Sequence, residues 1–523
     1  MNKLSYLFSA LVVSTQLFGS SINLEIQYEQ AADGQKVHQS KTIDFPDSFT
    51  NEPGVSHAGM HKTLFAIKVS NLITSSLKEY HEARTSYLNS YPIYTPYAEV
   101  SEPQIARPAP PRFPRYWEQI RQEYALKLLH SIQKLEATAE GFCTDDDVTE
   151  AIHIVKKLSD AMMQGEVGPV FERESVVPYS GMPLASCNMK AGAPAALLNV
   201  TAGGVQDYAH FKKQVLDGFV PPLEAFIEEG FLSEFNLQLE SAPCEQLIGL
   251  NPAWAYDKET NKLFVQVGMS SNVTPESFVR PPVNLSFVID ISGSMGATDN
   301  TERSRLEWAK DAVAKAISHL NEQDIVSIVL FDSVSVVLLE PTFVTDKALL
   351  LNKLQKIQTG NSTNLDAGLR DGFMLASKAY KAGYENRVLL FSDAGLNTGM
   401  TDPTSILRLV SDYASENIGL TAIGVGENFH HDFIHKITMS KGGNALFVHT
   451  GAGLTKFFNS FDYLVTPVAH HLKVSSSFQD LKAKLVKTYG VPMLKNEPIQ
   501  ELINVRTLFF SEGGGAIVLE YDL

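Results

Sequence analysis

The sequence predicts an α/β domain with a doubly wound, mainly parallel sheet and helices on both faces. A helical N-terminal region and a β-containing C-terminal region are predicted to flank it. Two observations support this fold class. Between residues 281 and 460, short apolar strands alternate with amphipathic helices, which is typical of a parallel sheet covered by helices. Strands such as Val388–Phe391 are apolar without interruption, which indicates a sheet buried on both faces.

The spacing of apolar residues predicts the elements of this domain one by one. Strands are expected at 283–290, 324–331, 387–392, 418–425 and 445–449, with a hairpin-like segment at 334–339. Helices are expected at 303–320, 365–382, 403–417 and 429–439. Pro403 favours the start of one helix, because proline is tolerated in the first turn.

The 523-residue chain is too long for a single hydrophobic core. Changes in composition divide it into a leader at 1–21, an N-terminal region with a Pro-rich connector at 22–115 and a helical region at 116–190. An α+β segment at 191–280 precedes the α/β domain at 281–460, and a β-containing extension at 461–523 follows. Apolar spacing predicts a strand at 23–28 and helices at 116–139 and 144–163, whereas residues 29–60 show no pattern.

The first residues have the organisation of a secretory signal peptide. Lys3 precedes a mostly apolar run from Leu4 to Phe18, and small residues follow at 19–21. This order predicts export to the periplasm, the cell envelope or the medium. The apolar run is shorter than a membrane-spanning helix, which favours cleavage over retention as an anchor. We expect no stable membrane span in the rest of the chain.

Charge and cysteine content exclude several classes of function. The formal net charge of -16 opposes binding to nucleic acid, because a phosphate backbone requires basic side chains. Cys143, Cys187 and Cys244 belong to no CxxC pair and are too far apart for a zinc knuckle. The sequence is compatible both with one disulfide and one free thiol and with three separate thiols.

Oxygen-bearing side chains follow the ends of the predicted strands. Asp290 ends the strand at 283–290, and Ser292 and Ser294 come directly after it. Thr363 lies in a later loop, and Asp393 follows the strand at 387–392. Because the carboxyl ends of parallel strands meet at one edge of a sheet, these side chains are expected to lie together. Two carboxylates and three hydroxyls suit a hard divalent cation rather than zinc or copper.

The order Asp-x-Ser-x-Ser, a distant Thr and a further Asp resembles the metal-ion-dependent adhesion site of von Willebrand factor type A domains. The resemblance covers residues 281–460, and the flanking segments resemble those of exported bacterial members. It implies that Ser292, Ser294 and Thr363 are hydroxyl ligands, while Asp290 and Asp393 orient ligands and bound waters.

Two positions qualify this resemblance. Ser362 stands beside Thr363, so the hydroxyl ligand of this loop could be either of these two residues. Ala394 follows Asp393, where the family commonly has Gly, and its methyl group removes no donor.

The resemblance implies one divalent cation, with Mg²⁺ preferred and Mn²⁺ or Ca²⁺ as alternatives. Hydroxyl ligands leave the charge of the cation incompletely neutralised, so an Asp or Glu carboxylate of a partner protein can complete its coordination. We therefore expect an exported adhesion or envelope-scaffold protein that is not an enzyme. A metal-assisted hydrolase is an alternative, but no His or Glu accompanies the motif as a general base. A second alternative is an assembly subunit of a larger complex. The sequence does not identify the partner or the oligomeric state.

Two other motifs are interpreted as structural. His431 and His435 stand one helical turn apart, superficially like a zinc-protease motif, and an exposed helical face is preferred. The acidic run Asp145–Asp147 is interpreted as the cap of a helix rather than a metal site.

Overall fold

The computed structural model describes residues 21–45, 58–90, 115–138, 145–164, 198–206, 208–235, 246–299, 301–393, 403–426, 431–448, 451–479, 482–491, 503–511 and 516–523. Residues 1–20 of the predicted leader, the prolines of the connector, Ala394 and all three cysteines lie outside these residues, whereas Ser21, the last residue of the predicted leader, begins the first strand. Within them the strands form one seven-stranded and one nine-stranded sheet.

The N-terminal part contributes a β-hairpin and three long helices. The strands are β1 (Ser21–Gln30) and β2 (Lys36–Asp44), and the helices are α1 (Ala58–Ser90), α2 (Arg115–Thr138) and α3 (Asp146–Gln164). The sequence pattern predicts β1, α2 and α3 but misses β2 and α1. In α1 the buried polar residues Lys62, Thr63 and Ser70 interrupt the apolar period.

The acidic run before α3 is used for capping and ion pairing. The backbone N–H of Asp147 donates to Asp145 Oδ1 at 3.2 Å. Lys62 Nζ, from α1, lies 2.7 Å from Asp145 Oδ2 and 2.8 Å from Asp147 Oδ2. These carboxylates therefore join two helices, which agrees with the structural interpretation of the run.

The next segment alternates short strands and helices. It contains β3 (Asn199–Ala202), β4 (Gly204–Val205), α4 (Ala209–Leu216), α5 (Glu228–Ser233), β5 (Ile248–Asp257) and β6 (Lys262–Ser271), with a 3-10 turn at Leu223–Ala225.

The α/β domain follows the predicted order of strands and helices. Its strands are β7 (Val283–Asp290), β8 (Ile325–Phe331), β9 (Ser335–Phe343), β10 (Glu385–Ser392), β11 (Ile418–Gly424) and β12 (Asn444–Phe447). Its helices are α6 (Arg305–His319), α7 (Lys347–Gln355), α8 (Leu365–Lys378), α9 (Pro403–Ser415), α10 (His431–Thr438) and α11 (Gly451–Leu464). The sequence analysis misses α7 and α11, and α11 extends beyond the predicted boundary at residue 460.

The seven-stranded sheet has the order β4-β12-β11-β10-β7-β8-β9. β10 pairs in parallel with β7 and β11, whereas β9 is antiparallel to β8. β4 comes from the preceding segment and pairs in parallel with β12. Side chains of α6 and α11 fill the core on one face, and those of α8, α9 and α10 fill the other. The predicted doubly wound α/β fold is confirmed.

The nine-stranded sheet collects strands from distant parts of the chain. Its C-terminal strands are β13 (Pro467–Gln479), β14 (Lys484–Tyr489), β15 (Ile503–Ser511) and β16 (Ala516–Asp522). The order is β14-β16-β6-β3-β15-β13-β1-β2, and β5 pairs with β6. The α/β domain is therefore an insertion between β6 and β13. Among the described helices, none combines the length and apolarity that a membrane span requires.

Candidate metal centre

The first loop of the candidate site follows β7 directly. Asp290 is the last residue of this strand, and its side chain is fully buried. Its Oδ1 accepts a 2.9 Å hydrogen bond from the backbone N–H of Ser292, and its Oδ2 accepts a 2.7 Å bond from Ser392 Oγ. Both carboxylate oxygens are thus held by the protein, one by its own loop and one by the end of β10.

Burial also changes the acidity of this carboxyl group. Loss of solvent raises the pKa of Asp290 to about 6, although hydrogen bonds from Ser392 and Ser292 act in the opposite direction. The negative charge of Asp393 adds to the increase. A nearby positive charge would therefore favour the ionised form of Asp290.

The two serines of the first loop are in contact with each other. Ser292 Oγ and Ser294 Oγ lie 3.1 Å apart, with Ser292 buried and Ser294 exposed. The intervening chain begins a 3-10 turn at Gly293, so the loop bends just after the strand. Two hydroxyl oxygens are thereby presented side by side at the edge of the sheet.

The second loop is bonded to the first by its backbone. Gly293 N donates to Asn361 O at 2.7 Å, and Gly360 N donates to Ile291 O at 2.5 Å. This pair of bonds brings the buried Thr363 to the same edge as the two serines. The carbonyl of Asp332 accepts a 2.5 Å bond from Asn364 N, which fixes the chain just after Thr363.

Asp332 also explains why residue 360 is glycine. Its Oδ2 accepts a hydrogen bond from Asn361 N at 3.2 Å. A Cβ on Gly360 would lie 2.2 Å from this oxygen, so any larger residue would displace the loop or the carboxylate. The sequence analysis missed Asp332, although its position after β8 follows the same strand-end rule as Asp290.

Asp393 follows β10 and is paired with an arginine that the sequence analysis did not identify. Arg305 Nη1 donates to Asp393 Oδ2 at 2.7 Å, and both side chains are nearly inaccessible. Arg305 Nε and Nη2 each lie 2.6 Å from a carboxylate oxygen of Asp299. The one feature of the sequence that could have indicated this ion pair is a basic residue at the start of the helix that follows the motif.

The residues around Arg305 determine its position at the start of α6. Ser304 caps α6 in a capping box, in which its side chain accepts from Glu307 N and the Glu307 carboxylate accepts from Ser304 N. Arg305 is therefore the first residue of the helix. Gly426 has a φ of +98°, and a Cβ there would lie 2.3 Å from Arg305 Nε. Glycine at this position leaves room for the guanidinium.

Hydrogen bonds thus join Asp290 with Ser292, and Ser292 with Ser294. Asp393 directly follows Ser392, which donates to Asp290, and Thr363 lies in the loop whose residues 360 and 361 are bonded to the first loop. Within the described residues, no group of three or more His, Cys, Asp or Glu side chains could hold a metal ion. The five predicted residues offer three hydroxyl and two carboxylate groups. Such an all-oxygen donor set fits a hard divalent cation.

Comparison with known proteins relates this region of the chain to a domain family. A model described as von Willebrand factor type A domain matches residues 285–396, which include the two loops and Asp393. The chain contains a von Willebrand factor type A domain. Domains of this family commonly mediate protein–protein interactions and bind a divalent cation at this kind of site.

The relatives share only part of their length with this chain. Uncharacterized protein YfbK of Escherichia coli is 28% identical over 284 residues, which cover 52% of this chain and 48% of that protein. Human inter-alpha-trypsin inhibitor heavy chain H4 is 24% identical over 184 residues, covering 34% of this chain and 19% of that protein. The chain therefore matches about half of the first relative's length and a fifth of the second's.

Solved structures give weaker likenesses. A von Willebrand factor type A protein from Catenulispora acidiphila is 13% identical, covers 50% of this chain and 61% of its own, and has a TM-score of 0.32. Another solved structure is proximal thread matrix protein 1 from the mussel byssus, described with a zinc-occupied adhesion site. It is 20% identical, the match covers 36% of this chain and 48% of that protein's chain, and the TM-score is 0.30. Scores of this size support no further conclusion.

The second residue of the histidine pair contacts the segment that precedes the α/β domain. His435 Nε2 is 2.5 Å from Glu229 Oε1, and both side chains are largely buried. The expectation of an exposed helical face is therefore wrong for His435, because α10 packs against the segment that precedes the domain. The side chain of His431 lies outside the described residues.

Proposed function

We propose that this protein binds another protein through a divalent cation held at the carboxyl edge of the seven-stranded sheet. One observation carries the proposal. Both oxygens of Asp290 are occupied by hydrogen bonds from Ser292 N and Ser392 Oγ, while the Ser292 and Ser294 hydroxyls lie together at the end of the loop. Ser292, Ser294 and Thr363 are therefore the proposed direct ligands, and Asp290 and Asp393 orient ligands and waters.

This division of roles has an electrostatic consequence. Hydroxyl oxygens carry no net charge, and the charge of Asp393 is partly offset by Arg305 at 2.7 Å. A cation held here keeps part of its positive charge and attracts an acidic side chain, whose carboxylate can occupy an open coordination position. We propose an Asp or Glu of a partner protein as that ligand, and Mg²⁺ as the cation, with Mn²⁺ or Ca²⁺ as alternatives.

The proposed role is that of an exported adhesion or envelope-scaffold protein without catalytic activity. The signal-peptide pattern at residues 1–21 supports export. The two carboxylates of the site are hydrogen-bonded within the protein, Asp290 by Ser292 N and Ser392 Oγ and Asp393 by Arg305, so neither is presented as a free general base. This favours binding over hydrolysis.

Calorimetric titration of Mg²⁺ and Mn²⁺ into the chain without residues 1–21 tests the proposal. We expect one saturable site in the parent and at least a tenfold loss of affinity in Ser292→Ala and Thr363→Ala, equivalent to about 1.4 kcal/mol or more. Ser286→Ala is the matched control, because Ser286 is a buried serine on β7 whose hydroxyl has no recorded partner. The control should bind metal like the parent.

Water proton relaxation of the Mn²⁺-loaded protein tests the open position. Acetate should displace metal-bound water and lower the relaxation enhancement, with no effect on protein treated with EDTA. A well-folded parent that binds neither Mg²⁺ nor Mn²⁺ contradicts the proposal. Metal binding that acetate leaves unchanged contradicts the capture of a partner carboxylate.

A further inference from the structure

A cleft separates the opposite edge of the seven-stranded sheet from the nine-stranded sheet. Its volume is about 970 Å³, and it is lined by the β1–β2 turn, the linker at 277–282 and the first residues of β10, β11 and β13. The metal site lies at the carboxyl ends of the same parallel strands, so the two places are at opposite edges of the domain.

The cleft contains a buried arginine that forms no close ion pair with a described residue, although its charge interacts with Glu385 and its guanidinium lies 5.4 Å from the centre of the Phe509 ring. Arg387 is 1% exposed, and no carboxylate among the described residues lies within 4.0 Å of its guanidinium. Burial lowers the pKa of Arg387 to about 10, so the side chain keeps its charge at neutral pH. A buried charge without an ionic partner is costly unless another group compensates it.

The hydrogen bonds of Arg387 leave one side of the guanidinium uncommitted. Nη1 donates to Thr421 Oγ1 and Gly442 O at 2.8 Å each, and to Asn444 Oδ1 at 3.3 Å. Nε is buried without a hydrogen-bond partner, and no described residue accepts a bond from Nη2. The Nε–Nη2 side is one of the two forks with which arginine binds a carboxylate through two parallel bonds.

Glycines allow the backbone to pack closely against the guanidinium of Arg387. A Cβ on Gly419 would lie 3.0 Å from both Cζ and Nη2 of Arg387, and 2.9 Å from the carbonyl oxygen of Gly442. Gly442 has a φ of +73° and packs against Gly419. Larger residues at either position would push the backbone away from the guanidinium.

A second polar group of the cleft is also unsatisfied. Thr466 is 5% exposed, and its Oγ1 has no hydrogen-bond partner. It stands just before β13 and lines the same cleft as Arg387. Buried hydroxyls are normally hydrogen-bonded, so two such groups lining one cleft make it a candidate binding site.

The rest of the lining restricts the chemistry of that ligand. Phe278, Tyr380, Tyr384 and Phe510 supply aromatic surface, which is typical of sites for small organic molecules. The acidic side chains Glu29, Asp33 and Glu385 also line the cleft and oppose a ligand with several negative charges. Arg280 is already paired with Asp324 and Asp462. Lys441, whose Nζ donates to Asn417 Oδ1 at 2.8 Å, adds a positive charge to the lining.

We infer that the cleft binds a small organic molecule with a single carboxylate, which the Nε–Nη2 side of Arg387 and the hydroxyl of Thr466 recognise. Such a ligand would contact both sheets at once and stabilise their relative arrangement. The site goes beyond the proposed metal-dependent function and does not depend on it.

Thermal unfolding and calorimetry with sodium benzoate test this inference on the chain without residues 1–21, at constant ionic strength in EDTA. We expect a saturable rise in the melting temperature of the parent relative to sodium chloride, and a smaller one with acetate. Arg387→Lys keeps the charge but loses the fork, so its affinity for benzoate should fall at least tenfold. Thr466→Val keeps the shape and should bind several-fold more weakly.

Two controls make the result specific. Thr438→Val alters another buried threonine, whose hydroxyl donates to Ile434 O at 2.7 Å, and should leave benzoate binding unchanged. Ser292→Ala should also bind benzoate like the parent, which separates this site from the metal centre.

Several results would overturn the inference. They are the absence of stabilisation beyond that of chloride, equal stabilisation of the parent and Arg387→Lys, or parent-like affinity in Thr466→Val. If Arg387→Lys does not fold, Thr466→Val alone decides between the outcomes. Stabilisation by inorganic phosphate but not by benzoate would overturn the carboxylate assignment.

Discussion

Arg305 and Asp393 form a buried ion pair, with Nη1 2.7 Å from Oδ2, directly beside the loop that begins the candidate metal centre. Asp299 completes the arrangement by binding the other two nitrogens of the guanidinium. One arginine thus connects the loop after the serines with the end of β10. Burial opposes the charge of Arg305, but the two carboxylates raise its pKa overall, so it is charged at all relevant pH values.

Replacement of this arginine should be rescued in part by metal. Arg305→Met leaves Asp393 and Asp299 without their counter-charge, and we expect the free energy of unfolding to fall by about 3 kcal/mol or more in EDTA. A divalent cation nearby can supply positive charge, so Mg²⁺ should raise the melting temperature of the variant more than that of the parent. Equal increases in differential scanning calorimetry would show that the arginine and the cation act independently.

Gly360 should control the position of the second loop. In Gly360→Ala the new Cβ would lie 2.2 Å from Asp332 Oδ2, so the loop that carries Thr363 must shift. We expect the affinity for Mn²⁺ in calorimetry to fall at least tenfold, which is about 1.4 kcal/mol. Gly451→Ala is the control, because a Cβ at that position meets nothing within 4 Å. Parent-like Mn²⁺ affinity in Gly360→Ala would exclude this loop from the metal site.

The strands of the α/β domain could be predicted closely because each one carries its own signal. β7 is buried along its whole length and β10 after its first residue, so their apolar runs define their limits without reference to other parts of the chain. The nine-stranded sheet carries no such signal. β1 pairs with β13 in a register that joins Ser21 with Gln479, and local periodicity contains no information about a partner so distant.

The same reasoning separates what could be predicted at the two sites. Asp290, Ser292, Ser294, Thr363 and Asp393 form a pattern of residue type and spacing that can be read along the chain. Arg305 and Asp393 are 88 positions apart, and nothing in the sequence states that they are paired. The cleft around Arg387 was not predicted because its walls come from both sheets, and only the folded chain brings them together.

Helix α1 offers a stability test of a buried charge that local periodicity could not predict. Lys62 is 3% exposed and pairs with Asp145 and Asp147 at the start of α3. Lys62→Met should lower the free energy of unfolding in urea by about 2–3 kcal/mol, because two carboxylates lose their cation in a partly buried place. Lys127→Met is the control, since Lys127 is exposed and its pair with Glu79 should contribute less than about 1 kcal/mol. Equal losses of free energy in the two variants would show that the buried pair stabilises the fold no more than the exposed pair does.

The pH dependence of stability should report on Glu385, the first residue of β10. Burial raises the pKa of this carboxyl group to about 7, although Arg387 and Lys441 act to lower it. The folded state therefore holds the proton more tightly than the unfolded state, and the stability from this group is complete below about pH 4.5 and lost as the pH rises through 7. Glu385→Gln keeps a neutral side chain at every pH.

The variant and the parent should accordingly unfold at similar denaturant concentrations near pH 4.5 and diverge above pH 6. At pH 8 we expect Glu385→Gln to be more stable, by up to about 3 kcal/mol. Glu322→Gln changes an exposed glutamate of the same domain and should keep the pH profile of the parent. If the curves for Glu385→Gln and the parent stay parallel from pH 4.5 to pH 8, the carboxyl group has no raised pKa. In that case the cleft at this edge is more open to solvent than the burial of Glu385 indicates, and the cost of an unpaired Arg387 beside it would be smaller as well.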